Sequence, residues 1–122
     1  MSDVLLAFRE SLPNHLISDD SIVSALASKP KLLTITHVDT STGVLSPAGH
    51  IASLVKKHSP DTLIALDAVC SVASEEIKFD EWGLDVVLSA TQKGLGVPPG
   101  LSVVLASKRA VEVRVSDIFI SI

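Results

Sequence analysis

The sequence predicts an α/β fold with a mostly parallel sheet and crossover helices, and three observations carry that expectation. Short apolar, β-branched runs recur as KLLTIT (31–36), TLIAL (62–66), LDVVL (84–88) and LSVVL (101–105). Polar turns and helical patterns separate the first three, as crossovers between parallel strands require. The apolar content is 47%, yet it includes only three Phe, one Trp and no Tyr. Small aliphatic residues of this kind suit buried strands covered by helices.

Taken in order, residues 3–10 and 19–28 read as helices. The second has Ser18 or Asp19 as a cap, Ile22, Val23 and Leu26 at near-helical spacing, and Pro30 as a stop. KLLTIT follows as a buried strand. HVDTSTG (37–43) is a polar turn dense in side chains that bond to backbone. Pro47 then opens a helix with Ile51, Leu54 and Val55 on one face, ending at His58-Ser59-Pro60. TLIAL ends at Asp67. A short segment near 77–79 leads to one helical turn at Asp80-Glu81-Trp82-Gly83, and LDVVL is the next strand. Residues 89–100 form a Gly- and Pro-rich loop before LSVVL. No repeat, low-complexity tract or linker divides the chain.

The bulk properties exclude several function classes. The chain has 122 residues and a mean hydropathy of +0.46, enough for one domain that buries roughly two-thirds of its unfolded surface. The formal charge is −4 and no basic run exceeds two residues (Lys56-Lys57, Lys108-Arg109). A nucleic-acid surface would need clustered Lys and Arg, so no nucleic-acid partner is expected. No apolar run is long enough to span a membrane, and the acidic opening Met1-Ser2-Asp3 lacks the basic start of a secretory signal. The single cysteine, Cys70, fits a reducing compartment. An intracellular location follows, in cytoplasm, mitochondrion or peroxisome, although Ile120-Ser121-Ile122 is not the Ser-Lys-Leu peroxisomal address.

Chemistry is expected where parallel strands end, because ligands of such sheets bind in the crevice past the carboxyl ends. Those ends are polar here: His37-Val38-Asp39-Thr40, then Asp67, then Ser89-Ala90-Thr91-Gln92-Lys93. Lys93 has no other Lys or Arg within fourteen positions and is followed by glycines and Pro98-Pro99. A loop lysine is ordinarily a solvated cation. In a partly desolvated pocket it would instead become the neutral amine that Schiff-base chemistry needs. Asp67 closes a buried strand, where a carboxylate is costly unless partnered. It could cap the following turn, bind a metal with Asp39, or hold a cofactor. A lysine nearby would repel a metal, so no metal site is expected.

Three blocks, His37-Val38-Asp39-Thr40-Ser41-Thr42-Gly43-Val44, Asp67-Ala68-Val69-Cys70-Ser71, and Ser89-Ala90-Thr91-Gln92-Lys93-Gly94 with Pro98-Pro99-Gly100, resemble consecutive blocks of class V aminotransferases. These enzymes depend on pyridoxal 5′-phosphate (PLP). The wording is similar to the alanine–glyoxylate/serine–pyruvate group, and to its fungal members in particular. Matching order and spacing make the three together specific. The resemblance covers about residues 31–110 and implies part of the large domain of PLP fold type I.

The resemblance implies a role at each matched position. Lys93 would form the Schiff base with PLP and shuttle the substrate proton. Asp67 would hold the pyridinium nitrogen, and Val69 would press on one face of the ring. Thr40 would bond near the phenolic oxygen, Gln92 would contact the phosphate, and His37 would lie near the ring edge. Without the family, Val69 reads as a core valine, His37 as a hydrogen-bonded structural histidine and Cys70 as a buried small hydrophobe. The implied reaction moves an amino group from alanine or serine to glyoxylate or pyruvate. The implied partners are an amino acid, a 2-oxo acid and a second copy in a homodimer.

Two departures bear on activity. No Gly-rich turn precedes residue 31 to clamp the phosphate at a helix N-terminus, and residues 111–122 (VEVRVSDIFISI) depart from the family pattern. The family's C-terminal small domain, with its carboxylate-binding arginine, is expected to be missing, and Arg114 has no spacing to replace it. The expectation is an incomplete large domain, inactive as a transaminase by itself. Two alternatives stand beside it. One is a non-catalytic truncated remnant. The other is a different class V reaction, desulfurase- or kynureninase-like, although Cys70 precedes Lys93 where a desulfurase would carry its cysteine afterwards.

Overall fold

The computed structural model describes residues 17–118, with side chains from 17 to 113. The helix expected over 3–10 lies outside the described residues. The elements run α1 (Asp19–Leu26), β1 (Leu32–Thr36), α2 (Ala48–His58), β2 (Leu63–Asp67), α3 (Phe79–Trp82), β3 (Val86–Ala90), β4 (Ser102–Ala106) and α4 (Lys108–Ile118). The strands form one sheet in the order β1-β2-β3-β4. The first three pair in parallel and β4 returns antiparallel to β3. The sheet is therefore α/β and mostly parallel.

Ser18 caps α1, its hydroxyl accepting from Ser21 N at 3.4 Å, and Asp19 and Asp20 occupy the positive end of the helix dipole. Ile22 and Leu26 are its buried face. Helix α2 buries Ala48, Ala52 and Val55, while Ile51 and Leu54 are only partly covered. The buried face is thus turned toward the alanines, whose small side chains admit close approach to α1 and the sheet. Gly49 is part of the same packing, since a Cβ there would lie 2.8 Å from the Trp82 indole nitrogen.

Residues alternate between the two faces of a strand. One face carries Ile35, Ile64, Leu66 and Val87, buried against Ile22, Leu26, Ala52 and Val55. The other carries Thr34, Thr36, Asp67, Leu88 and Val104, which are exposed, with Ala65 buried and Val86 half-buried among them. Strand β4 is exposed along its whole length. The core is a single layer of helices on one side of the sheet.

Strand β3 begins two residues later than the apolar pattern predicts. Leu84 and Asp85 belong to its approach, because the Asp85 carboxylate accepts from Ile64 N at 2.9 Å and so replaces a ladder bond with a side-chain bond. At its far end, Ser89 and Ala90 stay in the sheet by pairing with Val103 and Ser102. Beyond β4 the chain continues as helix α4, which runs up to Ile118.

Candidate active site

The residues singled out in the sequence lie at or just past the carboxyl ends of β1, β2 and β3. The turn after β1 is built from its own side chains. Asp39 accepts from Ser41 N and Ser41 Oγ, both at 2.7 Å, and Gly43 closes the turn at φ +70°. The Ser41 hydrogen bonds hold the Asp39 carboxyl below its ordinary value. Asp39 thus braces its own loop through Oδ1.

His37, the first residue past β1, is buried. Its backbone N donates to Asp67 O at 2.9 Å, and its Nδ1 lies 2.9 Å from Ser71 Oγ. Its ring meets Trp82 edge-on, with centroids 6.1 Å apart. Burial lowers the His37 pKa, only partly offset by the Glu75 charge, so the ring is neutral at physiological pH.

Asp67 is the last residue of β2 and is exposed. Its Oδ1 accepts from Val69 N at 3.1 Å, which leaves the second oxygen open among the described contacts. Val69 is half-buried. Thr40 is exposed and its hydroxyl lies 3.0 Å from Cys70 Sγ. Cys70 is therefore a half-buried thiol with a polar neighbour, where the sequence suggested a buried hydrophobe.

Gln92 and Lys93 follow β3 on a turn closed by Gly96 N to Lys93 O at 2.9 Å, and both are exposed. The described residues do not form the desolvated pocket expected around Lys93, because no layer covers this edge of the sheet. What the structure does decide is the path of the loop. A Cβ on Gly94 would collide with the Val72 carbonyl oxygen and approach Ser74 Oγ at 2.8 Å. Only glycine lets the residue after Lys93 sit against the turn that follows Asp67.

The opposite, amino-end edge holds features that sequence reading missed. Asp85, buried, accepts from Ile64 N, Ser107 Oγ (3.0 Å), and Arg109 Nε and Nη2 (3.0 and 2.6 Å). Arg109 also donates to Pro60 O and Thr62 O. Burial alone would raise the Asp85 pKa, but the hydrogen bonds from Arg109, Ile64 and Ser107 outweigh it and leave the carboxyl below its usual value. Bonding to Asp85 raises the Arg109 pKa in turn. The visible signal was the charge in LDVVL, which needs a partner inside an apolar run. A cleft of about 330 Å³ adjoins this clamp, lined by Lys56, Phe79, Asp85 and Arg109 among others, and no expected site residue lines it. Ser71 was the second omission, four residues after Asp67 and fully enclosed.

The profile of the family "Aminotransferase class-V" matches residues 5–115. The chain belongs to that family. It is similar to alanine–glyoxylate aminotransferase 1 of Saccharomyces cerevisiae, 43% identical over 112 residues, or 92% of this chain and 28% of the yeast protein. Among solved structures it is similar to ureidoglycine–glyoxylate aminotransferase of Bacillus subtilis, with a TM-score of 0.78 at 29% identity over 87% of this chain. Alanine–glyoxylate aminotransferase of Nostoc is also similar, with a TM-score of 0.73 at 35% identity over 80% of the chain. The chain spans about a quarter of the length of these relatives: 28%, 27% and 26%. Among the described residues no helix is long and apolar enough to cross a membrane.

Proposed function

We propose that this class-V aminotransferase chain supplies the PLP-anchoring strand ends of a transaminase that moves an amino group from alanine or serine to glyoxylate or pyruvate. The observation that carries the reading is the delivery of Asp67 and Lys93 by adjacent parallel strands to one edge, with Gly94 seated on the turn after Asp67. The donor set fits PLP group by group. An open carboxylate suits the pyridine nitrogen, a primary amine the aldehyde carbon, the Thr40 hydroxyl the phenolic oxygen, and the Gln92 amide the phosphate. When bound, the cofactor supplies an electron sink for the bond broken at the substrate Cα.

The chain's own residues have the remaining tasks. Asp67 keeps a proton on the ring nitrogen, its aim set by the Val69 N–H on its other oxygen. Val69 bears on the ring face. Lys93 would hold the cofactor at its aldehyde carbon through Nζ, and its amine would take up and return the proton at the substrate Cα. Arg109, the one arginine with a described side chain, is committed to Asp85 at the far edge. The carboxylate-binding arginine that the family resemblance implies is therefore not Arg109. On this reading the 122-residue chain binds PLP and transfers no amino groups by itself, and the complete enzyme is a homodimer.

The test is borohydride trapping. The chain incubated with PLP and reduced should carry one phosphopyridoxyl group on the Lys93 peptide by mass spectrometry. K93A should carry none there, and D67N should need more PLP for the same yield. Label spread over surface lysines, with Lys93 no better than the rest, removes the reading. Brisk conversion of alanine and glyoxylate by the chain alone would remove the part concerning its inactivity.

The exposed apolar strand β4, with Leu101 72% and Val104 60% exposed, favours a second reading in which the chain is a non-catalytic remnant that aggregates or assembles through that surface. Light scattering separates the two, because a PLP-binding species of defined size supports the first and polydisperse aggregate without bound PLP supports the second.

A further inference from the structure

Two buried polar side chains, His37 and Ser71, are bonded to each other beside the segment that follows Asp67. We infer that His37 and Ser71 are positioning residues, a paired latch that sets the aim of the Asp67 carboxylate at the pyridine nitrogen of PLP. The inference rests on the PLP reading above and deepens it.

His37 bonds twice to the segment 67–71. Its backbone N–H donates to the Asp67 carbonyl at 2.9 Å and its ring Nδ1 pairs with the Ser71 hydroxyl at 2.9 Å. The segment between is a tight turn, with Ser71 N and Val72 N both donating to Ala68 O at 3.1 and 3.0 Å. Val69 N, inside that turn, is the donor that orients Asp67 Oδ1. The Ser71 hydroxyl therefore fixes the far end of the turn whose middle steers the carboxylate, and β1 is the fixed body to which both ends attach. The ring itself cannot swing, because Trp82 meets it edge-on and it is 3% exposed.

Chemistry argues for geometry over bulk stability. A hydroxyl and an imidazole buried together gain little net free energy over an apolar pair of the same shape. What the pair adds is direction, since a hydrogen bond holds the turn at one distance and angle where apolar contact would let it slide. The described contacts of both side chains are with each other and with Trp82, so each acts through Asp67 as a positioning residue.

The test is a PLP affinity cycle on the 122-residue chain, read by absorbance titration of the lysine-bound cofactor. S71A should bind PLP about five- to tenfold more weakly, the loss of one buried hydrogen bond. H37Q, which removes the Nδ1 partner, should do the same, while H37N, whose amide reaches the Nδ1 position, should bind within about twofold of the parent. In a D67N background the S71A penalty should vanish, because there is no anionic carboxylate left to aim. A penalty that persists undiminished in D67N overturns the inference and makes the pair merely structural. So does parental affinity in S71A and H37Q. If S71A does not fold, the contrast between H37N and H37Q decides the matter in its place. Failure of the parent chain to take up PLP at Lys93 is a different result: it overturns the PLP reading and the latch with it.

Discussion

Removing the Arg109 side chain should test how the amino edge of the sheet is held. Asp85 is 5% exposed at its side chain and Arg109 47%. R109A strips two of the four hydrogen bonds that the carboxylate accepts, leaving Ile64 N and Ser107 Oγ. Breaking a buried ion pair from one side costs about 3–5 kcal/mol, and the half-exposed arginine places this pair at the lower end, about 3 kcal/mol. Against a total stability of roughly 5–15 kcal/mol for a domain, that is a large fraction. At roughly 4–8 °C per kcal/mol for a fold of this size, the melting temperature should fall by about 12–24 °C at neutral pH, followed by circular dichroism. The deficit should also shrink in acid. The folded Asp85 pKa lies below its unfolded value, so the clamp's contribution is complete above about pH 4 and is lost as pH falls through the folded value. Below that range parent and variant should converge. A variant that melts within about 3 °C of the parent at neutral pH, or a gap that is constant with pH, would refute the reasoning.

Three further outcomes are expected. G94A forces a Cβ into the Val72 carbonyl and Ser74 Oγ; it should cost about 1–3 kcal/mol and lower the trapped PLP yield at Lys93, and an unchanged yield would show that the loop seat is dispensable. His37 has a folded pKa below its unfolded value of about 6.5, so its contribution to stability is full above that value and is lost as pH falls toward the folded pKa. The parent should lose melting temperature between pH 7 and 5 more steeply than H37N does, and parallel profiles would contradict a buried neutral ring. V104K places a charge on the bare face of the exposed strand β4. It should suppress concentration-dependent self-association in light scattering without lowering the melting temperature by more than about 2 °C, since surface changes lie within about ±0.5 kcal/mol.

Much of the carboxyl edge was legible from local pattern. The runs ending at Thr36, Leu66 and Leu88 announced parallel strands, the third two residues short of the observed end of β3, and a polar residue just after an apolar run is what a sheet edge looks like in sequence. That His37 would be hydrogen-bonded was also readable, because a buried imidazole must find a partner. Which partner was not, since Ser71 lies thirty-four residues away and nothing local marks it. The same holds for Asp85, whose charge inside LDVVL signalled a missing counterpart without naming Arg109.

The sequence by itself determined the family, the α/β class, the approximate places of the strands and the chemical types at their ends. These depend on short-range periodicity and on residue chemistry, which survive without coordinates. Only the tertiary structure decided that β4 turns antiparallel, that among the described residues most of one sheet face is exposed, that Lys93 is exposed, and that Gly94 rests on the turn behind Asp67. Each of those is a contact between segments distant in the chain. Such contacts follow from how layers pack and from where the backbone leaves room, quantities that no local window of residues contains.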